Sequence, residues 1–496
     1  MKQTKAEESI NSFFKVKQFV YANKLVILFL GMVCFLTYIK SLTNSFVSAD
    51  DLTEFVNNDQ LKNFLTTLQT FNLPSIIYSA FYTIFGANPL ALHFYAVVLH
   101  FINCVLVLIL VYMLFGKKAS IITALLFGLH PVVTEPIYWI MANKYLLFAV
   151  FQFSSLIFYL LYCESQKKRY LAISLALFAS ILVFSQNPWP LVLPFVIFVL
   201  NFIVDKNVSV VQAAKRTLPF VTIALFTFLL IFTGAAKKRV SELSLTYGMN
   251  VEQSTPLLNR LPYTIYTAVE LWVFPVNLTL FHEGQIIPAS MYLVMILVTL
   301  VVFGLIVFLW KKQRVVAGLM AIMALTLLPT FSPVQIAFFI AERYMYFGTA
   351  FYCTLLAWLI LRFEKRIKYF VPVAVVLICI LYGIKSFSRS FDWQSSKTLW
   401  LSTSKHTPQS ARVFNNLGDA YGNEKDFDKS VKAFTRAIEI DPYYADAMHN
   451  LGNTYFEMGL YKEAKLQFEK ALQINPNYAG AKKAKQILQV LQEKNL

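Results

Sequence analysis

Apolar runs long enough to cross a lipid bilayer recur along the first 390 residues, separated by short basic or polar breaks. They fall at 25–42, 91–115, 119–137, 145–163, 170–186, 190–204, 217–233, 291–310, 315–332, 344–361 and 369–386. A hydrocarbon core about 30 Å thick takes roughly 20 apolar residues of helix, so the pattern predicts about eleven membrane-spanning helices. A further segment at 263–281, interrupted by Pro262 and Pro275 and followed by Pro288, reads as re-entrant or interfacial rather than as a full crossing.

Beyond residue 390 the long runs stop and the chain begins to repeat itself. At an offset of 34, Leu417, Gly418, Tyr421, Phe434, Ala437 and Pro442 recur as Leu451, Gly452, Tyr455, Phe468, Ala471 and Pro476. That period and residue pattern belong to the tetratricopeptide helix pair. The same offset backwards relates Phe434 to Trp400 and Pro442 to Pro408. The tail is therefore read as a half repeat at 394–407, two full repeats and a polar capping helix at 478–493. The expected fold class is all-α: a polytopic membrane bundle over 1–390, then a tetratricopeptide α-solenoid over 391–496.

Charge orients the bundle. Basic clusters at Lys117/Lys118, Lys167/Lys168/Arg169, Lys206 to Arg216, Lys311/Lys312/Arg314 and Arg362 to Lys368 are expected to face the cytoplasm. Eleven spans starting with the N-terminus inside satisfy all of them and leave the repeats outside. The stretch Lys237-Lys238-Arg239 then falls on the outer side, in a longer loop where the rule weakens, and reads as a solvated charge run. Composition agrees with a lipid-solvated chain: 57% of residues are hydrophobic and 14% charged, with a net charge of +17. Residues 410–496 hold 12 Lys/Arg and 11 Asp/Glu, so the basic excess belongs to the membrane part, where it suits contact with anionic lipid and not nucleic acid. The five cysteines sit in apolar segments without CxxC spacing and read as small core residues, not as disulfides or zinc ligands. The N-terminal run is expected to be a retained first span.

Three polar groups fall on the predicted outer face, where polar side chains near hydrocarbon are costly and usually functional. Asp50 and Asp51 follow the first span; paired carboxylates suit a general base, or Asp50 caps the next helix. His130, Glu135 and Lys144 interrupt two apolar runs; the cation could hold a phosphate with Glu135 orienting His130 or Lys144, or Lys144 snorkels to the interface. Glu342 and Arg343 open a later span, where arginine meets phosphate or pairs with a glutamate between helices. The sequence has no P-loop, Rossmann glycine fingerprint, nucleophile elbow or HExxH, which points away from nucleotide-dependent chemistry.

Taken in order, FVSADDLTEFVNND, HPVVTEPIYWI, AERYMYF and the Arg389 to Trp393 segment before the repeats resemble the motifs of the transmembrane and tetratricopeptide protein O-mannosyltransferases and their prokaryotic relatives, within the GT-C glycosyltransferase superfamily. The resemblance covers most of the chain. It implies a metal-independent, inverting transfer of a sugar, with no cofactor, from a polyprenyl-phosphate donor to a protein Ser/Thr or envelope-glycan hydroxyl on the non-cytoplasmic face. Asp50, with Asp51 as neighbour or alternate, would take the acceptor proton. Arg343, Lys144 and His130 would hold the lipid phosphate. Ala142-Asn143-Lys144-Tyr145 stands where the family has Gly-Arg-Ala-Asp, which leaves the sugar open. Short cytoplasmic loops and a small repeat array suggest a prokaryotic plasma membrane, or the endoplasmic reticulum membrane if the source is eukaryotic. Rival readings are a scaffold presenting repeats to partner proteins, an O-antigen-type ligase or polymerase, and a transporter.

Overall fold

The computed structural model describes residues 13–47, 50–185, 187–229, 257–282, 287–331, 340–364, 366–367, 369–478 and 480–493, and is helical without strands throughout them. Each of the eleven expected runs carries a helix where it is described. The longer helices are α1 (Lys24–Tyr38), α2 (Leu73–Phe85), α3 (Pro89–Leu129), α4 (Asn143–Ser165), α5 (Lys168–Ser185), α6 (Leu193–Val204), α7 (Val210–Thr227), α8 (Leu257–Val273), α9 (Ala289–Lys312), α10 (Arg314–Thr326), α11 (Glu342–Leu361) and α12 (Phe370–Asp392). Seven helical stretches among the described residues are long and apolar enough to cross a membrane, and three shorter ones are apolar.

α3 accounts for two of the expected crossings. Its 41 residues would extend about 60 Å if straight, twice the hydrocarbon thickness. Gly116 breaks it at φ 82°, beside Lys117 and Lys118, and so divides it into two legs. The second leg ends at Leu129 and not near 137, because Pro131 has no N–H to continue the ladder and His130 is already extended. That boundary corrects the span expected at 119–137. The region expected to re-enter holds α8, a 17-residue helix containing Pro262.

α3 packs against α1, α4, α11 and α12 and forms the centre of the bundle. α9 and α12 turn Leu293, Leu297, Leu300, Val307, Val373, Leu377, Leu381 and Ile384 outward, all more than half exposed, as lipid-facing helices must. The polar starts of helices are built from local caps. Asn72 and Asn88 accept backbone N–H groups at the starts of α2 and α3, and Ser209 with Gln212 forms a capping box on α7.

The tail folds as its period predicts, into α13 (Ser396–His406), the pair α14 (Ala411–Asn423) and α15 (Phe427–Ile440), the pair α16 (Ala445–Glu457) and α17 (Tyr461–Ile474), and α18 (Ala481–Glu493). A Cβ on Gly418 would lie 2.7 Å from the Phe434 ring, and one on Gly452 would lie 2.9 Å from Phe468. Glycine at these positions lets the aromatic wedge between paired helices. The array is seated on the membrane part: Trp400 is buried 5.7 Å from Phe281, whose ring also carries the Arg412 guanidinium at 5.4 Å.

Candidate functional site

The three polar motifs converge with two elements that sequence reasoning left out of the site, the loop at 279–282 and the end of α12.

Asp51 is 1% exposed and does not cap a helix. One carboxylate oxygen accepts from the Val47 N–H at 3.1 Å and the other from Met141 N–H at 3.1 Å. The side chain thereby ties the first loop to the 139–142 turn, and Tyr78 adds a second tie by donating to the Ile140 carbonyl at 2.9 Å. Burial pushes the Asp51 carboxyl from its ordinary 3.8 up to about 7, against the two backbone donors; the Asp50 charge adds to the rise. Asp50 is half-buried at the start of the following turn, where its backbone carbonyl accepts from Glu54 N–H at 2.8 Å.

Glu135 opens a four-residue helix (Glu135–Tyr138) and is fully buried. It does not orient His130, whose ring nitrogens are engaged elsewhere. It meets Arg343 twice instead: it accepts from the Arg343 backbone N–H at 2.7 Å and forms an ion pair with the guanidinium. The Arg343 guanidinium lies over the Trp139 ring at 4.9 Å and over Tyr344 at 4.7 Å. Trp139 in turn stands beside Asp51, so the acidic loop and the arginine meet across one indole.

The neighbouring Glu342 faces the other way. It accepts from Thr279 N–H at 2.7 Å and has Arg389 and His282 each at 3.5 Å. Arg389 also pairs with Asp392 at 3.0 Å and lies 5.9 Å from the Trp393 ring, which stacks on Trp139 with centroids 6.2 Å apart. Adjacent residues of α11 thus engage two opposite-charge partners from distant parts of the chain. Glu342 Oε2, Arg389 Nε and Trp393 Nε1 are buried with no hydrogen-bond partner among the described residues. Buried polar atoms of that kind are normally satisfied, so their presence around one ion pair sets this part of the site apart.

The remaining expected residues are placed differently. His130 has both ring nitrogens engaged, with the Trp272 carbonyl at 3.1 Å and the Val132 N–H at 3.3 Å, and its ring packs on Tyr382 at 4.6 Å. It shapes the loop. Lys144 is half-buried in the first turn of α4, next to Tyr145, which with Gln152, Trp189, Tyr344 and Arg343 lines a narrow cleft. Trp139, Arg389 and Trp393 lay within motifs already singled out but were given no role, whereas Thr279 and His282 carried no sequence signal.

Fold and site together define a multi-span membrane protein with a tetratricopeptide tail and a buried polar site at one end of its bundle. A tetratricopeptide repeat family profile matches residues 409–477. The chain is 30% identical over 136 residues to the human Protein O-mannosyl-transferase TMTC3, covering 26% of this chain and 15% of that protein. It is 23% identical over 340 residues to Protein O-mannosyl-transferase F38B6.6 of Caenorhabditis elegans, covering 65% of this chain and 46% of the relative. A third match, to Protein O-mannosyl-transferase TMTC2 of Mus musculus, is 29% identical over 108 residues, or 21% of this chain and 13% of that protein. The chain thus spans less than half the length of these curated relatives. It is similar to the TMTC proteins over part of its length.

Proposed function

We propose that the chain is an inverting membrane glycosyltransferase of the GT-C type. In this reading it moves mannose or a similar hexose from a polyprenyl-phosphate carrier to a Ser/Thr hydroxyl of a protein, or to an envelope glycan, on the non-cytoplasmic side. The names of its relatives support a protein O-mannosyl transfer. The observation that carries the reading is the double cross-pairing of Glu342-Arg343 with Arg389 and Glu135, set beside the buried acidic loop.

Asp50 takes the proton of the acceptor hydroxyl as its oxygen attacks the anomeric carbon. The bond from that carbon to the phosphate oxygen breaks, and the lipid phosphate leaves with the electron pair. Asp51 is the positioning residue: its two backbone bonds fix the loop that carries Asp50. Arg343, held by Glu135 and stacked on Trp139, and Arg389, held by Glu342, bring two guanidinium groups to receive the developing phosphate charge. Lys144, next in sequence to the cleft-lining Tyr145, would be a third cation. Read as cytoplasmic, the basic loops support a site and repeats on the outer side, where the tail would hold the acceptor.

The test is transfer of radiolabelled mannose from polyprenyl-phosphate mannose to acceptor peptide by purified protein in membranes. Asp50→Asn keeps the size of the side chain but cannot take a proton, so it should fold normally and lose about 10²–10⁴ in rate. Undiminished transfer by this variant would remove Asp50 from the chemistry. If Arg343→Lys and Arg389→Lys also left transfer intact, the ion pairs would be fasteners between helices and the scaffold reading would stand.

A further inference from the structure

Toward the C-terminal end of α1 and midway along the first leg of α3, Cys34, His100 and Cys104 bring three soft donor atoms within 4.8 Å of one another, all in fully buried side chains. We propose that these residues bind a zinc ion that joins α1 to α3 inside the bundle.

The first support is distance. Zinc takes thiolate sulfur at about 2.3 Å and imidazole nitrogen at about 2.0–2.1 Å. In a tetrahedral site those lengths put sulfurs about 3.8 Å apart, and sulfur about 3.6 Å from nitrogen. Cys34 Sγ and Cys104 Sγ are 3.9 Å apart, and Cys104 Sγ is 3.6 Å from His100 Nε2. Two of the three donor pairs stand at the spacing of an occupied centre, and the third lies within 4.8 Å.

The second support is the packing that permits it. A Cβ on Gly128 would lie 3.3 Å from each of the two sulfurs, so a larger residue there would press on both. The third is the shell around the imidazole. His100 Nδ1 is 2.8 Å from the Tyr346 hydroxyl, and Nε2 is 3.1 Å from the Gly128 carbonyl. Without metal, the hydroxyl donates to Nδ1 and Nε2–H donates to the carbonyl. With zinc on Nε2, the ring proton resides on Nδ1 and is donated to Tyr346, the kind of outer partner that fixes a ligating histidine. On binding, the Gly128 carbonyl gives up its contact with Nε2 and keeps the Tyr38 hydroxyl, which donates to it at 2.9 Å.

Charge selects the ion. Binding releases the two thiol protons, and two thiolates with one zinc(II) and a neutral imidazole sum to zero, which an apolar interior tolerates far better than an uncompensated charge. The zinc is structural: it links residues 70 apart in sequence, and the transfer proposed above does not use it.

Full-length protein purified in detergent, exposed to zinc and then freed of excess metal, should retain about one zinc per chain by mass spectrometry of the element. Cobalt(II) in its place should show thiolate-to-cobalt charge-transfer absorption together with tetrahedral ligand-field bands. Cys34→Ser and Cys104→Ser should each lose that charge-transfer intensity in part, and the double variant should lose it wholly. The cobalt spectrum of the unaltered protein decides the matter even if a variant fails to fold. Absence of bound metal, cobalt bands without thiolate character, full metal retention by the double variant, or a Cys34–Cys104 disulfide in the purified protein would each overturn the proposal.

Discussion

Replacing Asp51 by asparagine separates what its carboxyl does for the fold from what it costs. The folded-state value of about 7 lies above the ordinary 3.8, so between those values the folded chain holds a proton that the unfolded chain has released. Folding stability therefore falls as pH rises through this window and is flat above it. At about 1.4 kcal/mol per unit, the span from about pH 5 to about pH 7 removes roughly 3 kcal/mol. Asparagine is neutral throughout and escapes that loss. Its amide can accept from only one of the Val47 and Met141 N–H groups, however, and leaves the other facing an NH₂, at a pH-independent cost of about 1–3 kcal/mol. Asp51→Asn should thus be less stable than the parent near pH 5 and equal or more stable near pH 8. The measurement is thermal denaturation of both proteins in the same detergent at the two pH values. A destabilisation of the same size at both would show that Asp51 does not carry a buried, proton-holding carboxyl, and the latch described above would lose its electrostatic basis.

Glu135→Gln keeps one bond to the Arg343 backbone but leaves a buried guanidinium without its counter-charge, which typically costs about 3–5 kcal/mol; the melting temperature should fall by several degrees and mannose transfer should fall with it, and an unchanged melt would show that the pair is not buried as described. Gly418→Leu should disrupt the pairing of α14 and α15, because even a Cβ meets the Phe434 ring at 2.7 Å; proteolysis should then cut the tail while the membrane part survives, and a protease-resistant tail would refute the close approach. A reporter enzyme active only in the cytosol, fused after Leu496, should be silent if the repeats lie outside, and activity would reverse the topology.

The membrane bundle was legible because lipid imposes a length and an apolarity on every crossing, and the repeats because a period of 34 recurs with its glycines and aromatics in place. The break in α3 was legible too, from Lys117 and Lys118 between two apolar runs. The end of its second leg was not, since Ile137 and the residues before it look apolar enough to continue and only the local geometry of His130-Pro131 stops the helix. In the site, motif spacing picked out Asp50, Asp51, Glu135, Glu342 and Arg343 but could not pair them. Which glutamate meets which arginine depends on contacts across 208 residues for Glu135 with Arg343 and 47 for Glu342 with Arg389. No local pattern encodes them. His282 and Thr279 were invisible for the same reason, as isolated polar residues that gain meaning only when Glu342 arrives beside them.

The stretch joining α12 to α13 holds more than the repeats. Asn44 donates to the Ser390 carbonyl at 3.1 Å, and the Ser45 N–H donates to the Gln394 carbonyl at 3.1 Å, so the chain leading into the acidic loop is pinned to the segment on which the tail is mounted. Such a joint behaves like a bracket with two arms. A load on the tail is delivered first to the bonds at 390–394, at the end of α12, and next to Asn44 and Ser45 in the chain that leads to Asp50 and Asp51. The distance from repeat surface to carboxylate is therefore gauged by a few hydrogen bonds rather than by a slack tether, and a glycine-serine spacer inserted after Gln394 would turn a fixed reach into a statistical one.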